Sequence, residues 1–264
     1  MTDISKIISD SELFLLDLDG TVYLEGKLIG DVDKTLAKAR QNGKKIVFLT
    51  NNSSTSQKCY IEKLKKIGVF AEGDDVYTSG MAAADYLNSE HKGKKVYAVA
   101  TPEFTEELIQ NGIELDDENP DIVLLSYDKT LTYEKLVRLV GFLHKGLLFV
   151  ATHSDINCPA KDFYLPDIGS FIALIEKSTG RKPDVDCGKP FSVMGDQISA
   201  HYGKSGKQVV MFGDRLYTDI KFGSVNGFYS VLVLSGETTM EDYEKSDVSA
   251  SCILSDINEI FTHL

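Results

Sequence analysis

Leu13-Phe14-Leu15-Leu16-Asp17-Leu18-Asp19-Gly20-Thr21-Val22 is the stretch on which the fold turns. Its first four residues form a short unbroken apolar run, as a strand does when both faces of a parallel sheet are covered. The run ends in two carboxylates two positions apart. Side chains at i and i+2 of an extended segment point to one side. Asp17 and Asp19 can therefore share a pocket at the strand's end, where Gly20 lets the backbone turn away. Two close carboxylates repel each other unless a proton or cation sits between them. The stretch reads either as a divalent-metal site with a nucleophile and an acid/base, or as a strand end with solvated aspartates and a glycine turn.

Working outward, the chain repeats short strand–helix units. Val22 to Gly30 fits a small flap or hairpin, and Asp31 to Asn42 has helical spacing with Gly43 as its stop. Lys45 to Leu49 is a second buried strand ending in Thr50-Asn51-Asn52-Ser53-Ser54, a cluster that can either cap the next helix or offer hydroxyls and amides to a ligand. A helix runs from about Thr55 to Ile67, and Val76 to Gly80 reads as a short strand and turn. Next comes a β-α-β-α-β-α series: strands at Lys94–Ala100, Ile122–Tyr127 and Leu147–Ala151, helices at Glu103–Gln110, Tyr133–His144 and Phe171–Lys177. Asp186-Cys187-Gly188-Lys189-Pro190 precedes a helix, with Pro190 suited to its first turn. Strands at Gln208–Phe212 and Tyr229–Leu234 follow, then Ile253-Leu254 and a last helix, Asp256 to Phe261. The expected fold class is α/β: a Rossmann-like, doubly wound parallel-sheet core with an inserted smaller α/β domain. The expected division is 1–79 with 184–264 for the core and 80–183 for the insertion.

The 264 residues, 42% of them apolar, are enough for a sizeable core. A net charge of −12 argues against a nucleic-acid partner, which requires clustered Lys and Arg. An acidic chain that handles phosphate needs a local correction from a metal, a lysine or backbone N–H groups. The four cysteines, Cys59, Cys158, Cys187 and Cys252, are far apart and contain no C-x-x-C pair, so they read as thiols rather than a disulfide framework or zinc site. Met1 to Glu12 has no secretory pattern and no apolar run is long enough to span a bilayer. A cytoplasmic protein without a membrane partner is expected.

Four strand ends or adjacent turns carry useful groups: Asp17 with Asp19, Thr50 with Asn51, Lys189, and Asp214 with Asp219. In an open parallel sheet, ligands bind outside the carboxyl ends of the strands, so these groups can converge. Taken together, Asp17-Leu18-Asp19-Gly20-Thr21-Val22, Thr50-Asn51-Asn52, Lys189-Pro190 and Gly213-Asp214-Arg215-Leu216-Tyr217-Thr218-Asp219 resemble the four motifs of the haloacid dehalogenase superfamily of phosphatases. The insertion between the second and third motifs resembles the cap of its NagD-like, p-nitrophenyl phosphatase-like branch.

The resemblance implies a Mg²⁺-dependent phosphomonoesterase acting on a small phosphorylated metabolite, such as a nucleoside monophosphate or sugar phosphate. In it Asp17 is the nucleophile and Asp19 the general acid/base. Mg²⁺ is held by the Asp17 carboxylate, the Asp19 backbone carbonyl and Asp214, with Asp219 behind them. Thr50, Asn51 and Lys189 hold the phosphoryl oxygens. His153, Asp155 and Asn157 fall where the family places a cap loop facing the substrate. There the family's Asn-Pro-Asp run is replaced by His153-Ser154-Asp155, and Pro-Gly-x-Gly by Pro166-Asp167-Ile168-Gly169. Hinges are expected near Ser79-Gly80 and Pro183–Asp186, and a homodimer through the cap is left open. The other readings are a phosphotransferase or mutase of the same superfamily, an Asp phosphoacceptor module, and a binding protein with a dead site. Asp19 argues against the phosphoacceptor, because an acid/base two residues on hastens loss of an acyl phosphate. The short Thr21–Gly30 segment argues against a mutase, since it has no room for a mutase-type cap.

Overall fold

A computed structural model describes residues 1–159 and 163–264. The chain folds as two compact units. The larger comprises Met1–Thr50, Lys58–Tyr77 and Lys189–Leu264; the smaller comprises Asn51–Gln57 and Thr78–Gly188. Among the described residues no helix is long and apolar enough to cross a membrane.

The main sheet has six strands in the order Cys252–Leu254, Tyr229–Val233, Val209–Gly213, Leu13–Leu16, Lys45–Thr50, Asp75–Thr78. Leu13–Leu16 pairs in parallel with Val209–Gly213 on one side and Lys45–Thr50 on the other. It is fully buried, which accounts for its unbroken apolar run. Early strands extend the sheet one way and late strands the other, so the order reverses beside Leu13–Leu16. That reversal creates the crevice in which doubly wound sheets bind ligands. One face of the sheet packs Phe14 against Phe212, with ring centroids 5.4 Å apart. The same core takes in Ile4, Ile7 and Ile8 of a helix at Ile4–Asp10, which the mixed polar start of the sequence concealed.

The smaller unit is built on a four-stranded parallel sheet ordered Val185–Asp186, Leu148–Ala151, Ile122–Leu125, Val96–Val99. Helix Tyr133–His144 lies where the periodicity puts it, capped by the Thr132 hydroxyl, and Gly180 ends Ile168–Thr179 in the left-handed conformation. Four details differ from the sequence reading. Val185–Asp186 joins the smaller sheet instead of starting the return to the core. Asn157–Pro159 and Tyr164–Pro166 form an antiparallel hairpin too short to register as strands. Ser79 and Gly80 open the helix Ser79–Glu90 rather than forming a turn, because Thr78 accepts from the Met81 N–H as its cap. Pro190 follows a cis peptide and precedes the helix, which begins at Ser192.

Candidate active site

The sheet register brings the acidic groups together. Leu16 pairs with Phe212, and the Asp17 N–H extends the ladder by donating to the Phe212 carbonyl at 2.9 Å. Asp17 therefore leaves its strand beside Gly213-Asp214. Past Asp17 the chain folds back, with the Val22 N–H donating to Leu18 O at 2.9 Å and the Gly20 N–H to Tyr23 O at 2.8 Å. Gly20 sits at φ +82°, and a Cβ there would come within 2.7 Å of Asp214 Cγ. Only glycine lets this turn close so tightly over Asp214.

One carboxylate oxygen each from Asp17, Asp214 and Asp219 lies within 4.8 Å of the others. Lys189 Nζ stands 2.6 Å from Asp17 Oδ1 and 2.7 Å from Asp219 Oδ1 and is almost sealed from solvent. Burial works against the ammonium's charge, but Asp17 and Asp219 outweigh that and hold it protonated. The carboxylates feel the reverse. Burial drives Asp17 well above the usual carboxylate range, aided by Asp219 and Asp214 and opposed by Lys189. Burial, with the negative Asp219, pushes Asp214 up to about 6. Asp214 Oδ2 accepts from the Glu237 N–H at 2.7 Å, while Oδ1 is buried and finds no protein partner among the described residues. A crowded carboxylate set with an orphaned buried oxygen is what a hard divalent cation fits.

Asp19 is exposed at the turn, and its surroundings raise it above the ordinary range by desolvation, with Lys63 and Arg215 opposing. Tyr23 OH donates to Asp19 Oδ2 at 3.5 Å and accepts from Lys63 Nζ at 2.7 Å. Arg215 pairs with Glu237 at 2.9 Å. The sequence motifs assign no role to Tyr23, Lys63, Arg215 or Glu237. Tyr23 could have been found from the Gly20 turn, which brings residue i+4 back over Asp19. Thr50 ends its strand buried in the larger unit.

The other predicted residues belong to the smaller unit. Asn51 Nδ2 donates to Asp155 Oδ2 at 3.1 Å. His153 is completely buried: Nε2 is 3.1 Å from Asp167 Oδ1, and Nδ1 is 3.2 Å from Thr152 Oγ1 and 3.4 Å from Ser79 Oγ. Asn157 is exposed on the short hairpin. Asp167 and Asp186 were not singled out. Asp186 is pushed up to about 6, chiefly by burial.

The family model described as haloacid dehalogenase-like hydrolase matches residues 14–114, and a second, HAD-hydrolase-like, matches 186–260. The acid sugar phosphatase of Staphylococcus saprophyticus subsp. saprophyticus is 30% identical over 252 residues, covering 95% of this chain and 97% of that protein. The 4-nitrophenylphosphatase from Thermotoga maritima superposes with a TM-score of 0.93 at 41% identity, over 97% of this chain and 98% of that one. NagD from E. coli K-12 gives a TM-score of 0.87 at 28% identity, over 95% and 98% of the two chains.

Proposed function

This chain belongs to the haloacid dehalogenase-like hydrolases, among their NagD-like phosphatases, and from that premise we propose that it is a Mg²⁺-dependent phosphomonoesterase for small phosphorylated metabolites, sugar phosphates or nucleoside monophosphates among them. The observation that carries the reading is the gathering of Asp17, Asp214 and Asp219 at the sheet's reversal point, with Lys189 bridging Asp17 and Asp219 and Asp214 Oδ1 left without a partner among the described residues. The sugar-phosphate class is supported by the name of the acid sugar phosphatase relative.

Asp17 is the nucleophile: its carboxylate attacks phosphorus and becomes an aspartyl-phosphate. The leaving oxygen takes a proton from Asp19, whose raised affinity for protons suits a general acid. Asp19, now ionised, takes a proton from the water that hydrolyses the acyl phosphate and regenerates Asp17. Thr50, Asn51 and Lys189 donate to the phosphoryl oxygens, and the fixed charge of Lys189 offsets the charge that builds there. Asp17, the Asp19 carbonyl and Asp214 would hold Mg²⁺, with Asp219 fixing Lys189 and the Arg215 N–H, at 2.7 and 3.1 Å. When bound, the ion supplies positive charge to the transferring phosphoryl group and relieves the repulsion among the aspartates. The smaller unit serves as the cap that selects the substrate.

Asp19→Asn tests the scheme. With p-nitrophenyl phosphate, whose leaving group needs little help from an acid, the variant should accumulate phosphate on the Asp17 peptide, detected by mass spectrometry. A variant that turns over at the wild-type rate, or phosphate on another residue, contradicts these roles.

A further inference from the structure

We propose that His153 is a positioning residue: a buried imidazolium that, through the Ser79 hydroxyl, fixes the backbone at Asn51. The proposal rests on the reading of Asn51 as a phosphate ligand.

Donor and acceptor accounting fixes the proton count on the ring. Ser79 Oγ donates its single hydrogen to the Asn51 carbonyl, which can only accept. Toward His153 Nδ1, 3.4 Å away, Ser79 Oγ is therefore an acceptor, and Nδ1 carries a hydrogen. Thr152 Oγ1, 3.2 Å from Nδ1, offers the same hydrogen a second acceptor. Nε2 faces Asp167 Oδ1 at 3.1 Å, an oxygen that also accepts from the Ile168 N–H, so Nε2 carries a hydrogen as well. Both nitrogens are donors only in the cation. Burial opposes that charge, but three carboxylates from three elements outweigh it and raise the imidazole above its usual range. They are Asp167 at the start of Ile168–Thr179, Asp155 in the loop after Leu148–Ala151, and Asp186 in Val185–Asp186.

The cation stands where the chain enters and leaves the smaller unit. Asn51 begins its first segment, Ser79 is the second residue of the next, and Gly188 is its last residue. A Cβ on Gly188 would stand 2.5 Å from His153 Cβ and 2.9 Å from Asn51 Oδ1, so glycine is needed for that approach. Asn51 thus donates its amide to Asp155, and its carbonyl accepts from Ser79, whose oxygen His153 in turn holds. The imidazole acts on phosphate through Ser79 and Asn51 without touching it.

The test is a double-mutant cycle on hydrolysis of p-nitrophenyl phosphate, with inhibition by inorganic phosphate read alongside. His153→Gln and Ser79→Ala should each lower kcat/KM by about 10- to 100-fold, the cost of misplacing a contact by about 1 Å. Both should weaken phosphate inhibition. His153→Gln combined with Asn51→Ala should be little worse than Asn51→Ala alone, since coupled residues are not additive. Ring ¹⁵N shifts should report both nitrogens protonated at neutral pH. If Asn51→Ala matters while the His153 and Ser79 variants keep wild-type phosphate inhibition, or add to it independently, the positioning role falls and the Asn51 reading stands. A neutral imidazole at pH 7 also overturns it. If Asn51→Ala itself leaves phosphate inhibition unchanged, the Asn51 reading fails and takes the proposal with it. Should His153→Gln not fold, Ser79→Ala keeps the histidine–Asp167 pair and carries the test.

Discussion

Lys189→Met removes the ammonium that bridges two of the three clustered aspartates, Asp17 and Asp219. Its Nζ lies 2.6 and 2.7 Å from Asp17 and Asp219, and its side chain is 3% exposed. At an effective dielectric near 20, a pair of unit charges about 4 Å apart is worth about 4 kcal/mol. Taking away one partner of a buried pair costs about 3–5 kcal/mol, because the other charge stays behind desolvated. The variant should therefore unfold about 10 °C lower in EDTA at neutral pH, using about 2–4 °C per kcal/mol for a chain of this size. Added Mg²⁺ should recover more stability in the variant than in wild type. The pH dependence has a definite sign. Asp17 binds protons more tightly folded than at its ordinary value of 3.8, so its ionised form destabilises the fold. That cost is absent below the unfolded value and complete above the folded one, so the deficit should shrink as the pH falls. Thermal unfolding of both proteins, with EDTA and with Mg²⁺ at neutral and acid pH, measures all of this. Equal melting temperatures in EDTA at neutral pH would refute the electrostatic reasoning.

Other outcomes follow from single contacts. Gly20→Ala puts a methyl against Asp214 at φ +82°; it should cost about 1–2 kcal/mol in backbone strain and weaken Mg²⁺ binding measured by calorimetry, and unchanged affinity would mean Asp214 is not held by the turn. Burial and Asp219 push Asp214 up to about 6, and Asp17 is raised too, so proton competition should raise the Mg²⁺ needed for half-maximal thermal stabilisation by at least about tenfold per pH unit below 6. A half-saturation point equal at pH 7 and pH 5 would exclude Asp214 as a ligand. Glu107 is buried with Oε2 unpartnered among the described residues, and desolvation raises it; Oε1 caps Gln57 at 2.7 Å. Glu107→Gln keeps the cap and removes the charge, so it should raise the melting temperature at neutral pH, by about 1–3 °C, and do nothing at a pH where Glu107 is already protonated.

Much of the core was legible because its signals are local. Leu13–Leu16 announces itself as a two-sided buried strand, and Tyr133–His144 carries its apolar stripe and its threonine cap in the sequence. The residues around the sheet reversal follow from one rule, that parallel strands present their carboxyl ends together. What the sequence could not give were contacts set by register and turn. The bridging of Asp17 and Asp219 by Lys189 joins positions 172 and 30 residues apart, and Val185–Asp186 is too short to be read as a strand. His153, expected in a loop facing substrate, is instead buried against Asp167, fourteen residues away, because the intervening hairpin folds that aspartate back. The Ile4–Asp10 helix did have a signal, isoleucines at i, i+3 and i+4, diluted by polar neighbours.

The most direct test of the central claim is phosphate release from p-nitrophenyl phosphate by wild type and Asp17→Asn, each with Mg²⁺ and with EDTA. Release that needs Mg²⁺ and vanishes in the variant is the predicted result. Release that persists in EDTA or in Asp17→Asn, or none from wild type on any small phosphate monoester, would contradict it.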